Sequence, residues 1–542
     1  MNQPVYRVLL INPSANRFAI PTASLGLARI AAALPPRVLV QGMDLNVFKW
    51  IFGLDPPSLL ATVENYLLQA QAAGVLPDLI GFAVYEETVA EATTLARLAR
   101  RLGINTVAGG IHPTLFPDQM PLEFDFLIRG AGETPFAQLV AELGPADHCA
   151  CGDLHQHLRH SDHQHAPIAG LSLHPSGKDW LHLGDPALPP TPVPLPRSDI
   201  FNDFNLAFRY YSARVQSSQG CPFACAFCAN AQFARVWQPR PVAAVLDEID
   251  QVLRDPAISE ITFADDQFLG FSPPDYQRAY QILHALERIS RGRNLRINLQ
   301  VRADQFSKAL SACPELAPVI RAINRNFRDP SALISMQLHG RPVQGFSLDI
   351  GVESFLDERL TRFAKGLTVA ANRRAIRLAR ELGVDLGLYM ILFTPEITLE
   401  QIEQEFEAYL REFIDTDVFA KAAFLNLFQE LVPYQGTPIY QELQKSGQLV
   451  PNGPVHGFRF ADPRVAAFYL LYLYHTQTGR LDALQSRDEL VGLIRQLLRQ
   501  SRAWGNAARL QPMFNALVCE LTDAETVRGL YRQARAVVSE DS

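Results

Sequence analysis

Three of the seven cysteines in this 542-residue chain, Cys221, Cys225 and Cys228, stand together in the segment SSQGCPFACAFCAN with the spacing C-x3-C-x2-C. Seven cysteines over this length are too sparse for a secreted disulfide framework, so clustering among them points to metal or redox chemistry. Chance would place two cysteines at these offsets roughly once in a thousand such chains. Structural zinc wants four ligands, and no further Cys or His lies within thirty residues of the triad on either side. An iron-sulfur cluster held by three thiolates follows a different logic, because its fourth iron keeps a position open for a ligand.

Strand and helix signals alternate on both sides of the triad. Ahead of it, VYRVLLINPS, RVLVQGMDLN, DLIGFAVYEE and NTVAGGIHPT read as strands, with helical period in GLARIAAALPP and from Val89 to Leu102. That alternation predicts an open doubly wound sheet, which takes ligands in the crevice at its strand C-termini. Gly109 and Gly110 follow one such strand, where they either admit a bulky ligand close to the backbone or simply form the turn. After the triad, EITFADDQFLG, LRINLQVRAD, FSLDIGVES and GVDLGLYMILFTPEITLE are strand candidates, and Val242 to Leu253 has helical period. With a weaker strand in YYSARVQSS leading into the cysteine loop, this pattern predicts a partial parallel (β/α) barrel, whose chemistry sits at strand C-termini. Asp265 and Asp266 stand at such an end, with a helix cap as their alternative role. Beyond YQGTPIYQELQKSG the pattern turns helical, and the broad apolar faces of PRVAAFYLLYLYH and ELVGLIRQLLRQSRAW need a barrel or a partner to cover them.

The triad, with Phe227 just before its last cysteine, resembles the signature of radical S-adenosylmethionine enzymes. The resemblance implies a 4Fe-4S cluster on Cys221, Cys225 and Cys228, S-adenosylmethionine chelated by the open iron, and reductive cleavage to a 5'-deoxyadenosyl radical. It sets Phe227 beside the adenine. Where the family usually carries Gly-Gly-Glu to meet the methionine amino group, this chain has Asp265-Asp266-Gln267. Arg302 and Glu353, the latter following the small Gly351, resemble further positions that orient S-adenosylmethionine. The match runs over residues about 205 to 450.

INPS, GLARIAAAL, AVYEET, AGGIHPT and FLIRGAGE resemble the cobalamin-binding domain that precedes the radical domain in one large subclass. The resemblance places Asn12, Thr88, Gly109, Gly110, Gly130 and Glu133 at the corrinoid. The Asp-x-His-x-x-Gly motif that ligates cobalt in other cobalamin proteins is absent, and no His occurs before His112. Either cobalamin binds without a protein histidine on cobalt, the reading favoured by the retained glycines, or the domain is a relic. Weak ligation from below would favour a cobalt that accepts a methyl group from S-adenosylmethionine and releases it to a substrate radical.

Four regions follow: an α/β cobalamin-binding domain over 1–145, a His- and Pro-rich linker over 146–200, a partial (β/α)6-type TIM barrel over 201–455 and a helical region over 456–542. The linker stretch HCACGDLHQHLRHSDHQHAP holds six of the thirteen histidines with Cys149 and Cys151, but without ligand periodicity it reads as a solvated insert. Cys313 and Cys519 stand alone, so no auxiliary cluster is expected. Hydrophobic residues at 48%, charged ones at 19% and a net charge of −7 exclude a largely disordered chain and any general attraction to nucleic acid. The longest apolar run, Val465 to Tyr474, is half of what a bilayer span needs, about 20 residues, and the opening MNQPVYRVLLINPS lacks a signal pattern. These features predict a cytoplasmic protein without a membrane span.

The predicted activity is a radical S-adenosylmethionine C-methyltransferase acting on an unactivated carbon of a small molecule, with a flavodoxin or ferredoxin as electron donor. The rival is ring formation or rearrangement, like the anaerobic porphyrin-ring cyclase that the architecture also resembles. An RNA methylthiotransferase would want a further three-cysteine cluster and a basic RNA-binding module, and neither is present. A non-catalytic corrinoid protein would leave the triad unexplained.

Overall fold

A computed structural model describes residues 5–14, 22–144, 168–174, 177–204, 210–233, 235–328, 344–412, 426–452, 455–481, 483–484, 486–519 and 524–540. The His- and Cys-rich insert up to Pro167 lies outside these. The chain forms two units, residues 1–215 with 247–258 and residues 216–246 with 259–542.

The first unit is built on β1 (Arg7–Asn12), β2 (Leu39–Asp44), β3 (Leu79–Ala83), β4 (Asn105–Gly109) and β5 (Phe126–Ile128), in the order β2-β1-β3-β4-β5 and all parallel. Successive residues of a strand face opposite sides of the sheet. Leu9 and Ile11 accordingly join one core with Ile80 and Phe82, while Val8 and Leu10 join a second with Leu79 and Phe136. Both faces are thus covered, as a parallel sheet requires. Helices Leu25–Ala33, Pro56–Ala72, Val89–Arg101 and Glu133–Leu143 supply the covering layers. The order reverses between β1 and β3, the topological switch at which such sheets take ligands. Part of the stretch read as a linker adds two short antiparallel strands, β6 (Leu171–Leu173) and β7 (Leu181–His182), at the β5 edge. Three- and two-residue strands are too short to leave a periodic signal. A buried ion pair, Arg29 with Glu248 at 3.2 Å, lies within this unit.

The strand Ser212–Val215, β8, leads into the cysteine segment, and the short β9 (Ser218–Gln219) and β10 (Gln238–Pro239) pair antiparallel around it. The second unit then sets β11 (Glu260–Phe263), β12 (Arg296–Arg302), β13 (Phe346–Glu353) and β14 (Asp385–Met390) side by side in parallel. Their register aligns two contrasting faces. Ile261, Leu299, Leu348 and Leu388 are buried on one face, where Leu299, Val301, Phe346 and Leu348 pack with Leu283, Phe306 and Ile320 of the outer helices. The alternate residues Glu260, Thr262, Arg296, Asn298, Gln300, Asp349, Asp385 and Tyr389 line the other face. After β14 the parallel direction continues only as a single bridge from Phe393 to Glu430 among the described residues, which leaves the barrel partial.

A hairpin of Leu449–Asn452 and Val455–Phe458, not foreseen in the sequence, precedes the terminal helices. Helix Pro463–Gln477 is enclosed all round, packed against the helices Arg487–Asn506 and Ala524–Glu540 as well as against residues that follow β14. Val465 to Leu471 are all at or near zero exposure, the Phe468 and Tyr469 rings meet Phe393 at 6.2 and 5.0 Å, and the Tyr469 hydroxyl donates to Glu430 at 2.7 Å. No described helix is long and apolar enough to cross a membrane.

Burial pushes His112 in the first unit and His475 in the second down to about 4, from an ordinary 6.5. Both are neutral in the folded chain and take up a proton on unfolding below about pH 6.5. Their contribution is complete above that pH and is lost as pH falls toward 4. Thermal melts from pH 7.5 to 4.5 should therefore show less acid destabilisation in His475→Leu than in the unaltered protein, and an equal slope in both would contradict the burial argument.

Candidate functional site

The cysteine segment follows β8 as a compact loop. The Cys228 N–H donates to the Cys225 carbonyl at 3.1 Å, and a short 3-10 turn, Ala229–Gln232, follows at once. Cys225 is buried, while Cys221 and Cys228 are partly exposed, and none is in a disulfide. Burial pushes the Cys221 and Cys228 thiols up. Backbone N–H groups of Phe223 toward Cys221, and of Ala231 and Asn230 toward Cys228, oppose that rise, while the neighbouring thiols and Asp266 add to it. Sulfurs that share an electrostatic environment and receive backbone donors have the surroundings of iron-sulfur ligands, whose potentials such donors tune. Among the described residues, no group of three or more His, Cys, Asp or Glu is drawn together for a single metal ion.

The loop is pinned by the segment that follows β11 and by the helices Asp357–Arg362 and Pro438–Lys445. Ala226 N–H reaches the Phe363 carbonyl at 2.9 Å and Ile439 N–H reaches the Ala226 carbonyl at 3.2 Å. The Phe227 ring meets Phe363 edge-on at 5.6 Å. Asp265, 2% exposed, accepts from Ser217 N–H at 3.0 Å, from Ser217 Oγ at 2.7 Å and from Ser218 Oγ. Asp266 accepts from Gly220 N–H at 3.1 Å and Asn230 Nδ2 at 2.5 Å. Burial raises both carboxyls above the usual range. The two aspartates predicted to meet S-adenosylmethionine are thus occupied by the protein's own donors, and neither caps a helix.

Arg302 and Glu353 come from neighbouring strands. Arg302 lays its guanidinium over the Phe223 ring at 3.7 Å and donates through Nε to Asp304 at 2.8 Å and through Nη2 to the Lys365 carbonyl. Its Nη1 is buried without a protein partner, a donor left over for a ligand. Glu353 ends β13 at φ 58°, just past a register shift at Gly351, and pairs with Lys365 at 2.7 Å in a nearly solvent-free setting. Left-handed backbone at a non-glycine residue costs on the order of 1–3 kcal/mol and concentrates at functional positions. The sequence reading missed Lys365, Asn230 and Phe223. Nothing local in the sequence marks Lys365; that it stands between Ala364 and Gly366, both at positive φ, is seen only in the structure.

In the first unit the residues expected at the corrinoid gather at strand C-termini. Asn12 closes β1 and donates to Asp44 at 2.9 Å, and Asp44 also accepts from Tyr210 at 3.0 Å. Thr88 is buried, and its hydroxyl accepts from Tyr85 N–H at 2.9 Å. Gly109 ends β4 with no neighbour closer than 3.7 Å to a would-be Cβ, whereas Gly110 and Gly130, at φ 118° and 84°, would collide there with the backbone of Val84 and Ala187. The close approach that these two glycines permit is to their own chain. Glu133 opens its helix beside a recess of about 320 Å³ lined also by Gln138 and Pro190.

Residues 24–140 match the B12 binding domain family. The chain is 24% identical over 379 residues to an uncharacterized methyltransferase, PH0819, of Pyrococcus horikoshii, covering 67% of this chain and 69% of that protein. It is 23% identical over 380 residues to the anaerobic magnesium-protoporphyrin IX monomethyl ester cyclase of Cereibacter sphaeroides, covering 68% of this chain but 55% of the cyclase. Among solved structures, the cobalamin-dependent S-adenosylmethionine radical enzyme OxsB with aqua-cobalamin bound matches at a TM-score of 0.61 and 17% identity, over 99% of this chain and 80% of that one. The radical S-adenosylmethionine methyltransferase TsrM of Kitasatospora setae, with cobalamin and a [4Fe-4S] cluster, matches at 0.53 and 18%, over 82% and 75%.

A methyl group at Gly351 would stand 2.8 Å from Glu353 Oε1 and 2.9 Å from Lys365 Nζ. Gly351→Ala should therefore force the buried pair apart and cost about 1–3 kcal/mol, as overpacking does, read as a lowered denaturant midpoint at unchanged slope. With a B12 binding domain followed in sequence by a partial barrel that bears the cysteine triad, the chain has the domain order and the fold of the cobalamin-dependent radical S-adenosylmethionine enzymes.

Proposed function

We propose that the chain is a cobalamin-dependent radical S-adenosylmethionine methyltransferase that acts on an unactivated carbon of a small-molecule or natural-product intermediate. The cysteine loop carries this reading: three thiols with backbone donors aimed at the outer two, and no fourth ligand among neighbouring residues. Cys221, Cys225 and Cys228 hold a 4Fe-4S cluster. Arg302, through its unpaired Nη1, and Glu353, held by Lys365, orient S-adenosylmethionine, with Phe227 against its adenine. The N-terminal domain holds cobalamin at the C-terminal ends of its strands, without a histidine from the loop after β1. Cluster, nucleotide and corrinoid together supply one-electron cleavage of a sulfonium and delivery of a methyl group. A flavodoxin or ferredoxin serves as electron donor, and the cytoplasm is the compartment that suits this oxygen-sensitive chemistry.

Ring formation is the second reading, favoured by the likeness to the magnesium-protoporphyrin cyclase. The polar face of β11 to β14 weighs against it. There Asn298 donates to Asp349 at 3.2 Å and Tyr389 to Asp349 at 3.5 Å, with Gln300 on the same face, and an apolar macrocycle laid against such groups would strip their water without offering them a partner.

Anaerobic incubation of the reconstituted protein with cobalamin and S-adenosylmethionine tests the assignment. A methyltransferase gives S-adenosylhomocysteine together with 5'-deoxyadenosine, and a cyclase need give only the latter. Cys225→Ala should remove iron and at least 99% of deoxyadenosine formation, on the order of the loss expected when an essential catalytic group is deleted; unchanged turnover in that variant ends the enzyme assignment.

A further inference from the structure

Asp265 and Asp266 are adjacent, yet they grip different parts of one loop. Asp265 holds Ser217 and Ser218, upstream of the cysteines. Asp266 takes one bond from Gly220, the residue immediately before Cys221, and one from Asn230, two residues beyond Cys228. A single carboxylate therefore ties together the two ends of the segment 220–230, which contains the whole triad. Closing a short loop at its ends removes most of its alternative conformations before any ligand arrives. The middle of the segment has its own anchors, from Ala226 N–H to the Phe363 carbonyl and from Ile439 N–H to the Ala226 carbonyl. Asp266 alone bridges the flanks of the two outer cysteines among the described contacts, and it also lies near enough to Cys221 and Cys228 to act on their sulfurs electrostatically.

We propose that Asp266 is the positioning residue of the triad, a clasp between Gly220 and Asn230 that sets the spacing of Cys221 and Cys228 for cluster assembly. Its role is exerted through the loop rather than by contact with iron or substrate, and the proposal rests on reading the triad as a cluster loop. A preorganised ligand set captures its metal more completely than one that must be ordered on binding. The carboxylate adds negative charge beside the cluster, and net charge is one of the determinants of cluster potential.

The test uses the full chain, reconstituted without air with ferrous iron and sulfide, alongside Asp266→Ala, Asp266→Asn, Asn230→Ala and the Asp266→Ala/Asn230→Ala pair. Iron per chain, the paramagnetic spectrum after dithionite reduction, the midpoint potential and the melting temperature of the metal-free protein are measured. Asp266→Ala should bind at least threefold less iron, Asn230→Ala should lose less in the same direction, and the double variant should be no worse than Asp266→Ala, because both act through one tie. Asp266→Asn keeps an acceptor for Gly220 without the charge and should retain a cluster at a higher midpoint potential. Unchanged metal-free melting temperatures, together with these losses, separate positioning from general stability. Wild-type iron content and spectra in both Asp266→Ala and Asn230→Ala would overturn the proposal, as would an iron loss that merely follows a fall in metal-free melting temperature in both. If the unaltered protein forms no cluster, the functional reading falls first and takes this inference with it.

Discussion

The second unit depends on the two-residue period of four parallel strands in common register. In most parallel barrels the inward positions are filled by branched apolar side chains. Here the apolar period is spent on the outer face, where Leu299, Val301, Phe346 and Leu348 meet the helices, and the alternate positions carry Glu260, Arg296, Asn298, Asp349, Asp385 and Tyr389. A one-residue slip of any strand would carry its apolar set onto the polar face. Burial of the outer face therefore fixes the register, and the register in turn fixes which functional groups stand together at each level.

Two levels show how those groups are satisfied. At the strand N-termini Arg296 lies between Glu260 at 2.6 Å and Asp385 at 3.3 Å, all three buried. Removing one partner of such a set strands a charge at a cost of about 3–5 kcal/mol, so this level holds together as a unit. At the C-termini satisfaction is incomplete. Glu353 is paired but its backbone is left-handed, Gly351 is hollowed out to admit the pair, and Arg302 keeps one donor unused. The two ends use the same residue types. Strain and an unspent hydrogen bond occur at the end where barrel chemistry is found.

The first unit meets a different constraint. Its sheet is buried on both sides, so side chains along β1 and β3 serve the core, and the polar groups of these two strands stand at or beyond their ends. There Asn12, Asp44 and Tyr210 satisfy one another, as do Ser14 and Glu91. Gly110 and Gly130 are needed because strands and connectors approach within contact distance of their backbones. Matching the B12 binding domain family over 24–140 is thus compatible with an internally closed hydrogen-bond network at the switch point.

What could be read in the sequence follows from how local each signal is. The triad was visible because its chemistry is written in eight consecutive residues, and the strands were visible because alternation is local. Asp265 and Asp266 were visible as chemistry but not as partners: a carboxylate beside a strand end looks the same whether it meets a nucleotide or Gly220, forty-six residues back along the chain. Lys365 was missed because its partner Glu353 comes from another element, and nothing in its surroundings marks a lysine as buried. Antiparallel β6 and β7 and the late hairpin escaped because strands of two to four residues carry at most two periods of alternation. Residue type and period are local properties of a chain, whereas the partner that decides the role of a polar group is set by topology, so a sequence names its reactive groups sooner than it names what holds them.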